Sequence, residues 1–278
     1  MNVVVAEHLG MCFGVKRALD IADSVSQPEH VTMLGEIVHN EQIVSALAAR
    51  GYLTQPESAH PHIPDTPEVL ITAHGISDRE RHALLAAGKL LHDTTCPLVT
   101  RVHKVARMLA DKGYFIVVIG RHGHVEVRGL TGDLDAFEVV ERVEEVRSYR
   151  QPRLGVVCQT TTAPAEATQI REAIAAANPE AEIRFIDTIC HPTKARQQAV
   201  ESLLPEVDAL VVVGGRTSNN TRRLGDLAEA CAVPWHHVQT VDDIDPEWRN
   251  RYRVIGLTAG TSTPDEAIEA VRERLMAL

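Results

Sequence analysis

Aromatic residues make up only 4% of the chain, so a surface that stacks on nucleic-acid bases is not expected. Positive charge is also in deficit, with 28 Lys and Arg against 38 Asp and Glu and a formal net charge of −10. That balance disfavours a nucleic-acid groove or an anionic membrane as partner. Any bound anion must then be held by a local field of histidines and backbone N–H groups. No apolar run approaches the ~18 residues that cross a bilayer, and no basic segment precedes the opening MNVVVAEHL. The expected location is the cytoplasm, with no domain appended at either end. In that setting an odd count of 5 cysteines points to metal or catalytic use before disulfides.

What the chain does have is 44% hydrophobic residues in 278, enough for a substantial core, and a repeated order of parts. In HDTTCPLVTRVHKVARMLADKGYFIVVIGRHGHVEV an extended run stops at Cys96 and Pro97 opens a helix. Val99, Val102, Val105, Ala106 and Leu109 recur at helical spacing. YFIVVIG then reads as a buried parallel strand ending in the polar tip RHGHVE. The same order follows Cys12 in FGVKRALDIADSV and VTMLGEIVHN, and Cys190 in HPTKARQQAVESLL and ALVVVGGRTSNN. Each unit continues with a second strand ending in small or polar residues (EVLITAHGIS, RLGVVCQTTT and RVIGLTAGTSTP) and then a helix.

The three cysteines recur at a loose period of roughly 90 residues, which indicates repeated α/β units. The expected architecture is α/β, a trefoil of three pseudo-equivalent small parallel-sheet domains. Their expected bounds are 13-96, 97-189, and 190-278 completed by 1-12. Ligands bind beyond the carboxyl ends of parallel strands, where all three cysteines and the polar tips fall.

Cys12, Cys96 and Cys190 each end a strand and open a helix, where the helix dipole favours thiolate. Three thiolates without a fourth equivalent suit a cubane [4Fe-4S] cluster held by three of its irons, with one iron open. A Cys₃His zinc site is the competing chemistry, although structural zinc usually takes close ligand pairs. Cys158, inside GVVCQ, and Cys231, on the helix GDLAEACAV, read as small buried hydrophobes. His39, His74 and His124 lie just past predicted strands at equivalent ends, whereas His60, His62, His236 and His237 read as ordinary surface residues.

With Ser218, Asn219, Asn220 and Ser262, the first three histidines make a donor-lined cradle for phosphate or diphosphate. Glu126 follows His124 by two residues on what reads as an extended segment, which would point both side chains the same way. A carboxyl kept from water there can carry a proton near neutrality, and Thr160 can orient it or a substrate hydroxyl. These parts specify delivery of electrons and protons to an oxygen-bearing, anion-tailed small molecule. The alternatives are a zinc-dependent hydrolase or lyase of a phosphorylated metabolite, and a non-catalytic iron–sulfur sensor that binds a phosphate ester.

GMCFGVKRAL, GEIVHN, TAHGIS, TTCPLVTRVH, GHVEVRG, QTTT, TICHPTKARQ, VVGGRTSNN and TAGTSTP resemble, in order and over nearly the whole chain, the 4-hydroxy-3-methylbut-2-enyl diphosphate reductase family. The resemblance implies a trefoil around a [4Fe-4S] cluster on Cys12, Cys96 and Cys190. It implies reductive removal of an allylic hydroxyl with two electrons and two protons, giving isopentenyl and dimethylallyl diphosphates. The electrons would come from a donor such as ferredoxin or flavodoxin. It assigns the diphosphate to His39, His74, Ser218, Asn220 and Ser262, with Asn219 beside them. His124 then belongs to the substrate site, Glu126 is the proton source and Thr160 lies near the hydroxyl. Two departures stand out: the family's His-Pro-Glu is His124-Val125-Glu126 here, and its Ser-Ser-Asn is Ser218-Asn219-Asn220. The flanking side chains remain, the lost proline implies altered loop mobility, and an amide still donates to phosphate.

Overall fold

A buried parallel strand needs a crossover to reach its neighbour, and the computed structural model, which describes residues 1–59 and 62–278, repeats that unit in three sheets. The chain begins with β1 (Asn2–Val5) and α1 (Phe13–Asp23). The first sheet contains β2 (Val31–Leu34), β3 (Leu53–Gln55), β4 (Glu68–Ile71) and β5 (Leu90–Asp93), ordered β3-β2-β4-β5. Its helices are α2 (Glu41–Ala49) and α3 (Asp78–Ala86).

After α4 (Pro97–Asp111) the second sheet contains β6 (Phe115–Ile119), β7 (Phe137–Val140), β8 (Arg153–Cys158) and β9 (Glu182–Ile186), ordered β7-β6-β8-β9. Its helices are α5 (Val125–Thr131) and α6 (Pro164–Ala177). After α7 (His191–Leu203) come β10 (Ala209–Val213), α8 (Asn219–Ala230), β11 (Trp235–Val238), the short α9 (Trp248–Arg251), β12 (Val254–Ala259) and α10 (Asp265–Met276). The third sheet runs β11-β10-β12-β1, with Asn2 opposite Val254 and Val5 opposite Leu257. Strand pairing is parallel in all three sheets.

Alternation along the strands decides which helices they meet. Ile116 and Val118 pack with Val102, Ala106 and Leu109 of α4 and Leu130 of α5. Val117 and Ile119 turn to the other face, against Ala167, Ile170 and Ile174 of α6. In the third sheet Leu210 and Val212 meet Val200 and Leu203 of α7, whereas Val211 and Val213 meet Val271 and Leu275 of α10. Each such Val, Leu or Ile side chain contributes about 1.5–3 kcal/mol when fully removed from water. By contact density the chain forms two compact units. One is Met1–Lys16 with Val38–Ala46 and His191–Leu278, and holds the third sheet. The other is Arg17–Ile37 with Leu47–Cys190, and holds the first and second. Among the described residues no helix is long and apolar enough to cross a membrane.

Several sequence expectations need correction. After the first strand of each sheet the sequence suggested only a polar tip, but α2 and β3, α5 and β7, and α8 and β11 follow there as helix and edge strand. Only α8 was legible, because β3 has 3 residues and α5 has 7 with Gly129 inside, too few to show a period. Cys158 is fully buried as expected, but Cys231 is exposed and caps the C-terminus of α8. His62 is exposed, and His60 lies outside the described residues. His236 is no surface residue. It stacks on Trp248 at 4.2 Å and meets the Tyr252 hydroxyl at 3.1 Å, and burial, aided by Arg251, lowers its pKa. His237 is half-buried and 2.9 Å from the Gly214 carbonyl.

Candidate functional site

The three candidate cysteines sit in one backbone setting. Each is half-buried and stands directly before a helix: Cys12 before α1, Cys96 before α4 and Cys190 before α7. The Cys96 carbonyl receives the Thr100 N–H and the Cys12 carbonyl the Lys16 N–H, both at 3.0 Å, as N-cap carbonyls do. Each cysteine amide is tied to the tip after a second strand: Cys96 to the Ala73 carbonyl at 3.0 Å, Cys190 to Thr160 at 2.9 Å and Cys12 to Thr261 at 3.0 Å. The cysteines thus stand a few residues past their strands, not at the strand ends.

A four-residue pattern, Asp-Thr-x-Cys, builds two of these seats. Asp93 accepts the Thr95 N–H at 2.9 Å and Asp187 accepts the Ile189 N–H at 3.1 Å, a turn that Asp favours. The next residue locks that turn to the neighbouring strand. Thr94 donates its hydroxyl to the Ile71 carbonyl at 2.7 Å, and Thr188 donates to Cys158 at 2.6 Å. The repeated Asp-Thr pair is visible in the sequence two and three residues before each of these cysteines. Among the described residues no group of three or more His, Cys, Asp or Glu is placed to hold a single metal ion. In an iron–sulfur cubane the cysteines bind different irons and need not meet at one point.

Glu126 is a buried carboxylate held on both of its oxygens. It is 3% exposed and lies in the first turn of α5, not on an extended segment as its spacing suggested. His124 is the N-cap of that helix, its Nδ1 accepting the Glu126 N–H at 3.1 Å. The Thr160 N–H donates to Oε1 of Glu126 at 2.7 Å, and the Thr160 hydroxyl pairs with Oε2 at 2.8 Å. His74 meets His124 edge to face, with ring centroids 5.7 Å apart. Close packing holds this pair. A Cβ at Gly129 of α5 would lie 3.2 Å from the Gly75 carbonyl, and Gly75 itself has φ +76. Val125 occupies the first position of α5 and is buried, so the departure from proline falls in a helix, where either residue suits the backbone.

His39, Ser218, Asn219, Asn220 and Ser262 belong to the other compact unit. Ser218 is the N-cap of α8, its Oγ accepting the Thr221 N–H at 3.2 Å. Asn40, at the matching place before α2, accepts the Gln42 and Ile43 N–H groups at 3.1 and 3.2 Å. Ser262 donates its hydroxyl to the His39 carbonyl at 3.2 Å. Glu41 ties the two tips together, accepting the Arg216 N–H at 3.0 Å and the Gln239 amide at 2.7 Å. No local sequence pattern signals that latch, whose partners lie far along the chain. Asn220 is 3% exposed, and neither its Oδ1 nor its Nδ2 has a hydrogen-bond partner among the described residues. A buried amide without partners costs about 1–3 kcal/mol, so its place in the first turn of α8, the anion-binding end of a helix, points to a ligand.

The division of the expected residues follows the two units. Cys96, Cys190, His74, His124, Glu126 and Thr160 are in one, and Cys12, His39, Ser218, Asn219, Asn220 and Ser262 are in the other.

The family model described as LytB protein matches residues 3–276. The chain is similar to the 4-hydroxy-3-methylbut-2-enyl diphosphate reductase of Aquifex aeolicus, 36% identical over 99% of this chain and 96% of the relative. The enzyme of that name from Methylibium petroleiphilum is 38% identical over 100% and 85%. A solved structure of (E)-4-hydroxy-3-methyl-but-2-enyl diphosphate reductase, described as the terminal enzyme of the non-mevalonate pathway, aligns at TM-score 0.69 with 36% identity, covering 100% of this chain and 99% of its own. The Plasmodium falciparum E-1-hydroxy-2-methyl-but-2-enyl-4-diphosphate reductase aligns at TM-score 0.90 with 27% identity, covering 99% and 88%.

Proposed function

The chain belongs to the LytB protein family, and from that premise we propose that it reduces (E)-4-hydroxy-3-methylbut-2-enyl diphosphate to isopentenyl and dimethylallyl diphosphates. This is the last step of the non-mevalonate isoprenoid pathway. Two electrons and two protons enter, the allylic C–O bond breaks, and the oxygen leaves as water.

The observation that carries the chemistry is the common seat of Cys12, Cys96 and Cys190, three thiols outside any disulfide, each before a helix and each with its amide tied to an equivalent tip. That donor set fits a [4Fe-4S] cluster with three cysteine ligands and one open iron. When bound, such a cluster supplies electrons and a Lewis-acid iron to the hydroxyl. Glu126 holds the proton for the leaving oxygen. Its pair with the Thr160 hydroxyl can run either way, so Thr160 fixes the carboxyl and can turn to the substrate oxygen as the proton moves. His74 and His124 line the same wall. His39, Ser218, Asn219, Asn220 and Ser262 take the diphosphate with His74, the N-terminus of α8 adding its field. Ser262 would exchange its bond to His39 for one to a phosphate oxygen.

The same reading takes 13-96, 97-189, and 190-278 with 1-12 as three pseudo-equivalent domains, supported by the one four-stranded sheet in each. It places the enzyme in the cytoplasm, with the rest of its pathway.

The deciding experiment is anaerobic iron and sulfide quantification on the wild type and Cys96→Ser, with turnover measured using reduced methyl viologen. The wild type should carry iron and sulfide in equal amounts and reduce the substrate. Cys96→Ser should lose nearly all of both. Normal iron and sulfide in the variant would remove Cys96 from the ligand set.

A further inference from the structure

The outer face of α4 carries charge that the site above does not use. Val99, Val102, His103, Ala106 and Leu109 form its buried side. Opposite them Arg101, Lys104 and Met108 are exposed and line a groove of about 500 Å³ with Arg17, Thr95 and Pro97. The Arg17 guanidinium donates to the Thr95 carbonyl at 3.1 Å, which sets a third cation at the groove. A second groove continues past Lys104 and Met108 to Lys112. From Arg101 to Lys112 the stripe covers about 16 Å of helix.

The charge is available. Neither Arg101 nor Lys104 makes a salt bridge among the described residues. Asp93, the carboxylate in the groove, is already held by Arg81 at 2.7 Å and by Thr95, and Asp111 lies toward the far end. On a chain of net charge −10, such a stripe runs against the average surface and attracts an acidic protein. Met108, 39% exposed, offers an apolar contact at its centre. Thr95 and Pro97 flank Cys96 in sequence, so the groove opens beside the backbone of a proposed cluster ligand.

We propose that this face of α4 is the docking surface for a small acidic electron-carrier protein of the ferredoxin type. The inference rests on the reductase reading and adds to it where the electrons enter. Two reduced one-electron carriers dock in succession and are oxidised, and their electrons, with two protons, convert the hydroxyl to water and leave a C–H bond on the product.

The test compares the wild type with the double variant Arg101→Glu, Lys104→Glu. Ferredoxin affinity is read by direct titration, and turnover is measured with reduced ferredoxin and with reduced methyl viologen. The expected result is ferredoxin binding weaker by about tenfold, a flatter salt dependence and an unchanged viologen rate. Equal ferredoxin affinity in wild type and variant overturns the proposal, as does wild-type binding that does not weaken with salt. Should the double reversal fail to fold, Arg101→Gln with Lys104→Gln gives the same readings with a smaller shift, about threefold. A wild type that binds ferredoxin at this groove yet reduces no substrate with either donor sinks the reductase reading and leaves the surface standing.

Discussion

Thr160 grips Glu126 with two of its atoms, the amide at 2.7 Å from Oε1 and the hydroxyl at 2.8 Å from Oε2. Its carbonyl meanwhile receives the amide of Cys190 at 2.9 Å. One residue therefore positions the proposed proton donor and a proposed cluster ligand together, so the two halves of the chemistry can be separated by choosing which Thr160 atom to remove.

Thr160→Val deletes only the hydroxyl and leaves both backbone bonds. Removing it leaves Oε2 of the buried Glu126 without that partner, worth about 1–3 kcal/mol, so kcat should fall by about fivefold to a hundredfold. Iron and sulfide content should stay at the wild-type level. Glu126→Gln should lose more turnover while also keeping the cluster. A change confined to KM in either variant would show that the carboxyl does not carry the proton.

Thr188 is a test of the cysteine seat. Its hydroxyl donates to the Cys158 carbonyl at 2.6 Å and accepts the Cys158 N–H at 2.8 Å, all of it buried. Thr188→Val strands that amide, at a cost of about 1–3 kcal/mol. The urea midpoint should drop, and iron should be lost faster to a chelator. A midpoint equal to wild type would mean the seat is held by other contacts.

Asn220 should trade stability for binding. Its buried amide has no hydrogen-bond partner among the described residues, so Asn220→Leu should leave stability equal or raise it by about 1 kcal/mol. KM for the diphosphate substrate should rise by an order of magnitude, about 1.4 kcal/mol of lost binding. Unchanged KM together with unchanged stability would detach Asn220 from the cradle.

His103 sets a pH dependence of folding. It is 8% exposed on α4, and burial, with Arg107 and Arg81, holds its pKa below the usual 6.5 against the pull of Asp133 and Asp78. The unfolded chain then takes up the proton at higher pH than the folded one. The contribution to stability is complete above the unfolded value and is lost as pH falls through the lowered folded value. Urea unfolding at about pH 7.5 and about pH 5.5 should show a fall that His103→Gln flattens. An identical fall in the variant would assign it to other groups.

The repeat made much of this protein legible in its sequence. Cys12, Cys96 and Cys190 each precede a helix at the same point of a strand–helix order, and apolar runs such as FIVVI and ALVVV read directly as strands covered on both faces. The polar tips were legible too, because strand ends in parallel sheets leave little else for His, Ser and Asn to do. What the sequence hid was short or distant. α5 and β3 are below the length at which periodicity shows, and the half-burial of His236 comes from Trp248 and Tyr252, which neighbour it only after folding.

By itself, then, the order of residues determined three parallel sheets, the helices after each cysteine and the chemical types available at the strand ends. Those follow from local periodicity, proline and glycine placement and the need to cover apolar strands. Tertiary structure alone decided that Glu126 lies in a helix turn and answers to Thr160, that Glu41 latches Arg216 and Gln239, and that the Asn220 amide is enclosed with no partner among the described residues. Each of these joins residues from separate crossovers, or encloses a side chain among them, and a hydrogen bond across such a gap depends on packing geometry that no local pattern encodes.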